Sequence, residues 1–287
     1  MRRLTNLSFI ICCLTSLTIV TTRPFVRARW LLLLLLLSFS SARAQIGEHR
    51  NDLAVGFSGG YMMSSVNFLP RVPQGQLGGL TGGVIVRYTC EKYFKSICSL
   101  VGEVNYSQMG WKEDIQNTLD EPVPVLNPET GEEIEGSAEA YQRRINYIQI
   151  PVMARLGWGR ERKGLQFYFQ VGPQISFYLS EEAKYNFDLD HPNLPSFLHV
   201  GRRSTVTNHY HMPVENKFDY GIAGGIGLEF SHPKIGHFLV DGRYYYGLGN
   251  IYGNTKRDYF AISNFQAISV KLTYLFDVFK VNDPKIK

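Results

Sequence analysis

Four histidines, His191, His199, His209 and His211, fall in one polar segment, 181–217. An extended chain would set His209 and His211 on one side, and imidazole is a donor that zinc accepts. Scattered loop histidines usually bind nothing, so neither metal nor cofactor is expected. Segment 112–140 carries nine acids, Glu113, Asp114, Asp120, Glu121, Glu129, Glu132, Glu133, Glu135 and Glu139, against the single base Lys112. So many carboxylates suit calcium or a basic partner. Their spacing matches no EF-hand, whose ligands are ordered about a glycine, and a solvated loop accounts for them. Arg202 and Arg203 could meet lipopolysaccharide phosphates. Ser176 or Ser180 beside a loop histidine could pair a nucleophile with a base for acyl transfer, but the spacing singles out no pair. Phosphate-cradling loops, paired catalytic cysteines and helix-borne zinc motifs are absent. The expectation is a protein that is not an enzyme.

Charge and cysteine usage narrow the setting. The 287 residues carry a formal charge of +5. Arg2, Arg3, Arg23, Arg27, Arg29 and Arg43 precede Gln45 and no acid does, so the excess belongs to the leader and gives no reason to expect a nucleic-acid partner. Arg27 and Arg29, the apolar run Trp30 to Phe39 and the small residues of Ala42-Arg43-Ala44 follow the order of a secretory signal. The expected division is a leader over 1–44 and a domain over 45–287. Past Gln45 no apolar run is long enough for a membrane-crossing helix. That stretch keeps only Cys90 and Cys98. In an oxidising compartment they could form a disulfide; two free thiols are the alternative.

The elements that must position these residues are strands. In Arg144 to Trp158, Asn146, Ile148, Ile150, Val152, Ala154 and Leu156 share one parity, and Tyr147, Gln149, Pro151, Met153 and Arg155 the other. A period of two marks a strand with two different faces, and its length suits a tilted bilayer crossing. Similar alternation recurs over 52–63, 80–90, 97–111, 165–180, 218–230, 238–248 and 266–276, giving an even number of staves. The connections alternate in length: 64–79, 112–140, 181–217 and 249–265 are long, while 91–96, 159–164 and 231–237 are short. Outer-membrane barrels have short periplasmic turns and long external loops. The pattern predicts an all-β, eight-stranded antiparallel up-and-down transmembrane barrel in the outer membrane.

Small and polar residues share one face, aromatic and branched residues the other. A lumen enclosed by eight strands holds side chains only, so the polar face is expected inside and the aromatic face against lipid. A soluble barrel of lipocalin type would reverse this. Tyr61, Trp111, Trp158, Tyr178 and Tyr252, near strand ends, suit interfacial girdles. Parity sends Arg87, Glu103, Arg155, Glu229, Asp241, Arg243 and Lys271 into the lumen. Unpaired buried charge is costly, so these residues are expected to pair and plug the barrel.

A family resemblance rests on several stretches: AVGFSGGYMMSSV, EVNYSQMGW, INYIQIPVMARLGW, FQVGPQISFYLS, FDYGIAGGIGLEF and DGRYYYGLGNIY. In order and spacing the chain from Gln45 resembles the PorT-like outer-membrane β-barrel proteins of Bacteroidetes. The resemblance implies an eight-stranded barrel surrounded by outer-membrane lipid and inserted by the barrel-assembly machinery. It also implies a possible partner in the secretion system or at the cell surface, since the family takes its name from a component of type IX secretion. The chain departs from the common barrel pattern at its end, where a short polar tail follows Phe276 and Phe279.

Overall fold

Every stretch of alternating sequence forms a strand, and most run further than their apolar pattern. The computed structural model of the chain describes residues 48–93, 95–127, 129–160, 163–195, 201–253 and 258–279. The expected leader over 1–44, His199 and the polar tail after Phe279 lie outside these residues.

The strands are β1 (Glu48–Leu69), β2 (Gln74–Tyr93), β3 (Ser96–Glu113), β4 (Pro124–Leu126), β5 (Glu133–Ala138), β6 (Tyr141–Gly159), β7 (Gly164–Tyr185), β8 (Phe218–His232), β9 (Gly236–Gly247) and β10 (Ile262–Phe279). Eight of them close into a barrel in the order β1-β10-β9-β8-β7-β6-β3-β2, while β4 and β5 form a separate hairpin. Every neighbouring pair is antiparallel, and β1 closes the ring by pairing with β10 from Leu53↔Phe279 to Leu69↔Ile262. A closed ring has no free sheet edge, so its backbone groups are satisfied by neighbouring strands. A β-structure that crosses lipid needs this closure.

The two faces separate as the parity requires. Phe57, Val84, Leu100, Phe169, Leu228 and Leu272 point outward and are exposed, Phe57 and Leu272 each at 64%. Ile85, Val101, Met153, Leu239 and Leu275 point inward and are buried. Rows run across strands: Leu228 faces Val240, and Val240 faces Leu272. An apolar surface continuous around a ring suits lipid far better than water. Glycine makes room on the inner wall. A Cβ on Gly83 would come within 1.9 Å of the Val104 carbonyl oxygen, and one on Gly172 within 2.0 Å of that of Val152.

Two expectations need correction. The long first connection, 64–79, does not exist: β1 continues to Leu69 and β2 begins at Gln74, so the turn is 70–73. Its serines and glycines resemble a loop, yet Ser64 faces Leu77 across the pair. Val66 and Phe68 bury their side chains, and this burial carries the ladder outward. Trp111 and Tyr252 are not girdle residues, since both are 0% exposed. Trp111 shares parity with Glu103, Asn105 and Ser107, so it points inward. Tyr61 and Trp158 do face outward, and Tyr178 is half-buried against Tyr147.

Candidate functional site

The lumen is built from strand positions that parity sends inward, and charge fills it. Arg87 on β2 donates to both oxygens of Glu229 on β8, at 2.6 and 2.7 Å. Arg155 on β6 reaches the same carboxylate at 3.3 Å. Arg155 also donates to the Gln170 amide oxygen at 3.2 Å, and its guanidinium lies 3.8 Å from the centre of the Tyr168 ring. Arg243 on β9 grips Glu103 on β3 with two parallel bonds of 2.9 and 2.8 Å. It also donates to Asp241. Lys271 on β10 donates to Glu103 at 2.7 Å.

These contacts cross the barrel. In the ring order, β2 and β8 stand opposite one another, and so do β3 and β9. The Arg87–Glu229 and Glu103–Arg243 pairs are therefore struts across the full width. Each of the seven charged residues is under 10% exposed. Two voids beside these residues are small. One of about 40 Å³ lies beside Arg87, Arg155 and Glu229, and one of about 20 Å³ lies beside Asn105, Arg243 and Lys271. Each has room for roughly one to three water molecules.

His237 stands one residue before the apolar pattern, which begins at Phe238, and shares the inward parity of Asp241 and Arg243. It is buried at the start of β9. One ring nitrogen lies 2.8 Å from both the Ser231 hydroxyl and Glu229, and the other lies 3.1 Å from Asp277. It bridges Glu229 and Asp277, and so ties β8 to β10 at the end where the short turns lie.

The opposite end is closed by a cap of aromatic rings. Phe68 meets Trp111 edge-on at 5.3 Å and Phe260 at 5.0 Å. His209 packs against Tyr210 at 4.3 Å and Tyr141 at 5.6 Å. Arg143, at the head of β6, pins three segments together. It donates to Glu181 at 2.6 Å, to the His209 and Met212 carbonyls at 3.1 and 2.8 Å, and to the Tyr252 hydroxyl at 3.0 Å. Arg202 is equally buried. It donates to Glu139 at 2.7 Å and to the Tyr210 hydroxyl, and stacks on Phe187 at 4.6 Å. Tyr210 in turn donates to Glu113. Burial pushes Glu139 above the usual carboxylate range, while Arg202 and the Asn193 backbone N–H pull it part of the way back.

A family model for the outer membrane protein beta-barrel domain matches residues 43–253. The chain belongs to this family. It is an outer-membrane β-barrel protein, and its apolar ring faces the lipid of that membrane. No curated protein matches it. Similar solved structures include Ail of Yersinia pestis in complex with the heparin analogue sucrose octasulfate, at 12% identity, covering 78% of this chain and 99% of Ail, TM-score 0.32. Neisserial surface protein A matches at 10% identity, covering 78% and 97%, TM-score 0.35. OprG of Pseudomonas aeruginosa matches at 12% identity, covering 80% and 98%, TM-score 0.33.

Short turns in this class face the periplasm, which puts the cap of this outer-membrane barrel outside. There several loop readings change. His209 and His211 do not converge: His209 is fully buried among rings, while the His211 side chain is exposed and lies 3.6 Å from Asp190. The described residues contain no cluster of histidine, cysteine, aspartate and glutamate fit for a metal ion. The Arg202-Arg203 pair also divides. Arg202 is buried and unavailable to lipid phosphate, whereas Arg203 is exposed and bonds Asp120 at 2.6 Å. Of the acidic loop, Glu113 and Glu139 are buried in the cap, and Glu132, Glu133 and Glu135 are exposed on the β4–β5 hairpin or beside it. Cys90 and Cys98 are free thiols. A bulge between Thr89 and Glu91 shifts the β2–β3 register there, so Cys98 faces Glu91 rather than Cys90. Ser180 accepts the Asn146 amide at 2.9 Å and Ser176 is buried. Among the described residues neither is hydrogen-bonded to a histidine.

Proposed function

We infer that this outer-membrane barrel is a closed, non-enzymatic envelope protein that works through its outer surface. The carrying observation is the pair of struts, Arg87–Glu229 and Glu103–Arg243, which cross the lumen in opposite-strand pairs. A solute would have to break two buried, hydrogen-bonded ion pairs to pass, each break leaving charge uncompensated. The outer end supports the same reading, because an aromatic core with buried Arg143 and Arg202 holds the loops as a rigid lid rather than an open mouth.

Planar-bilayer recording on the refolded chain tests this. The expected result is no large, stable conductance, and a porin-like open current overturns it. A second reading, a PorT-like accessory of type IX secretion, is supported by the stretches that resemble that family. Under it, deleting the gene changes the set of secreted proteins; an unchanged secretome removes it.

A further inference from the structure

An open pocket lies at the outer ends of β3, β6 and β7, away from the lumen charges and beside the cap. It encloses about 290 Å³ and is lined by Lys112, Tyr141, Gln142, Lys184, Tyr185 and Asn186, among others. The strand register explains its form. Lys112 on β3 faces Gln142 on β6, and Gln142 faces Lys184 on β7. With neighbouring strands ~4.8 Å apart, the two lysine backbones stand roughly 10 Å apart, and two flexible ammonium groups can close on one anion between them. Gln142 supplies an amide donor in the middle.

Lys112 and Gln142 continue the outward parity of Tyr106 and Ile148, a row of the apolar belt that Phe177 extends on β7. A register shift between Asn146 and Tyr147 adds one residue to β7 and so brings Lys184, of opposite parity to Phe177, to the same face. At a rise of ~3.3 Å per residue and a tilt of ~40°, Lys112 sits roughly 15 Å above that row. This is beyond the acyl chains and at the level of sugar head groups. Among the described residues Lys112 has no carboxylate partner, and Lys184 meets only Glu182, at 3.4 Å. Nearer the membrane, Arg144 reaches across to the Gly78 carbonyl at 3.4 Å, and its Nε has no acceptor. The acids on this strip are Glu182 and, toward the tip, Asp114, so bases prevail. Tyr185 is 53% exposed, meets Phe187 edge-on at 6.5 Å, and offers an aromatic surface for a sugar. Asn186 holds the rim rigid by accepting from the Ala140 N–H at 2.8 Å and donating to the Ala138 carbonyl at 2.7 Å.

Lys112, Gln142 and Lys184 sit on the strands just above the apolar belt, within reach of a head group whose acyl chains lie in the same leaflet. We propose that the pocket binds the phosphorylated sugar head group of an outer-leaflet glycolipid. The site stands independently of whether the lumen conducts.

The test reconstitutes the full chain in phosphatidylcholine bilayers doped with lipopolysaccharide and measures by native mass spectrometry how much glycolipid each barrel retains. The Lys112→Gln/Lys184→Gln double variant should retain roughly tenfold less, a loss of about 1.4 kcal/mol. Tyr185→Ala should lose part of the binding, and Lys217→Gln, elsewhere on the loops, none. Dephosphorylated lipopolysaccharide should bind wild type no better than intact lipopolysaccharide binds the double variant. Excess inorganic phosphate should displace little. Heat-modifiable gel mobility checks that each variant has folded. Equal retention by wild type and double variant overturns the proposal. So does full displacement by inorganic phosphate, which would mark a free-phosphate site.

Discussion

Glu103 neutralises two cations at once, through two bonds from Arg243 and one from Lys271. Glu103→Gln keeps the shape and removes the charge, leaving Lys271 without its bonded carboxylate, while Arg243 retains Asp241. Removing one partner of a buried pair costs about 3–5 kcal/mol, and a loss of that order should appear in urea unfolding of the barrel in vesicles. Arg155→Ala should cost less, since Glu229 keeps Arg87 at 2.6 Å while the stacking on Tyr168 is lost. If the two variants unfold alike, the ranking of the two carboxylates is wrong. At this scale the sequence was informative wherever parity was followed strictly. It placed the charges of Arg87 and Lys271 on the polar face without any structure. His237 shares the parity of Asp241 and Arg243 as well, so the same rule extends to it although the apolar stretch begins one residue later.

Among the elements, the cap was the least legible. Its contacts join Glu113, Glu139, Arg202 and Tyr210 from separate segments, and no local period announces a meeting of that kind. The histidine and arginine pairs illustrate the cost: neighbours in sequence suggested shared sites, yet one member of each pair is buried and the other is in water. Trp111 and Tyr252 lie near strand ends, as girdle residues do, yet Trp111 is on the inward face of β3 and Tyr252 is in the β9–β10 connection, folded into the cap. Arg202 holds segment 201–217 down on the barrel. Arg202→Ala should leave Glu139 buried without its ion partner, lowering the local stability of the cap by about 3–5 kcal/mol. Hydrogen exchange should then quicken in 201–217 while β1, β6 and β10 keep their protection. Uniform acceleration through the strands would show instead that cap and barrel open as one unit.

For the whole molecule, the lipid-facing ring sets where changes are tolerated. Leu272 lies midway along the outward apolar positions of β10, between Ile268 and Phe276, and is 64% exposed. Leu272→Arg should cost about 2–4 kcal/mol in a bilayer, the penalty for arginine near the midplane of such a barrel. The same change at Phe276 should cost less, because it lies nearer the water. Equal costs in equilibrium unfolding from vesicles would mean that the belt is centred elsewhere. Architecture at this scale was open to sequence reading because one physical rule, alternation between lipid and lumen, repeats in every stave. The first hairpin escaped because serine and glycine that line an inner wall resemble those of a loop.

The struts also bear on the order in which the barrel can be made. Glu103 emerges early, on β3, yet its partners Arg243 and Lys271 lie on β9 and β10. Arg87 likewise waits for β8. Until those strands arrive, the half-built sheet carries unmatched charges on its concave side, which only water can accommodate. The final strands complete the pairing: β8 brings the carboxylate for Arg87, β9 and β10 bring the cations for Glu103, and β10 also forms the seam with β1. A chain ending just before β10 would keep the family's matched segment, 43–253, whole and still lack the strand that closes the ring.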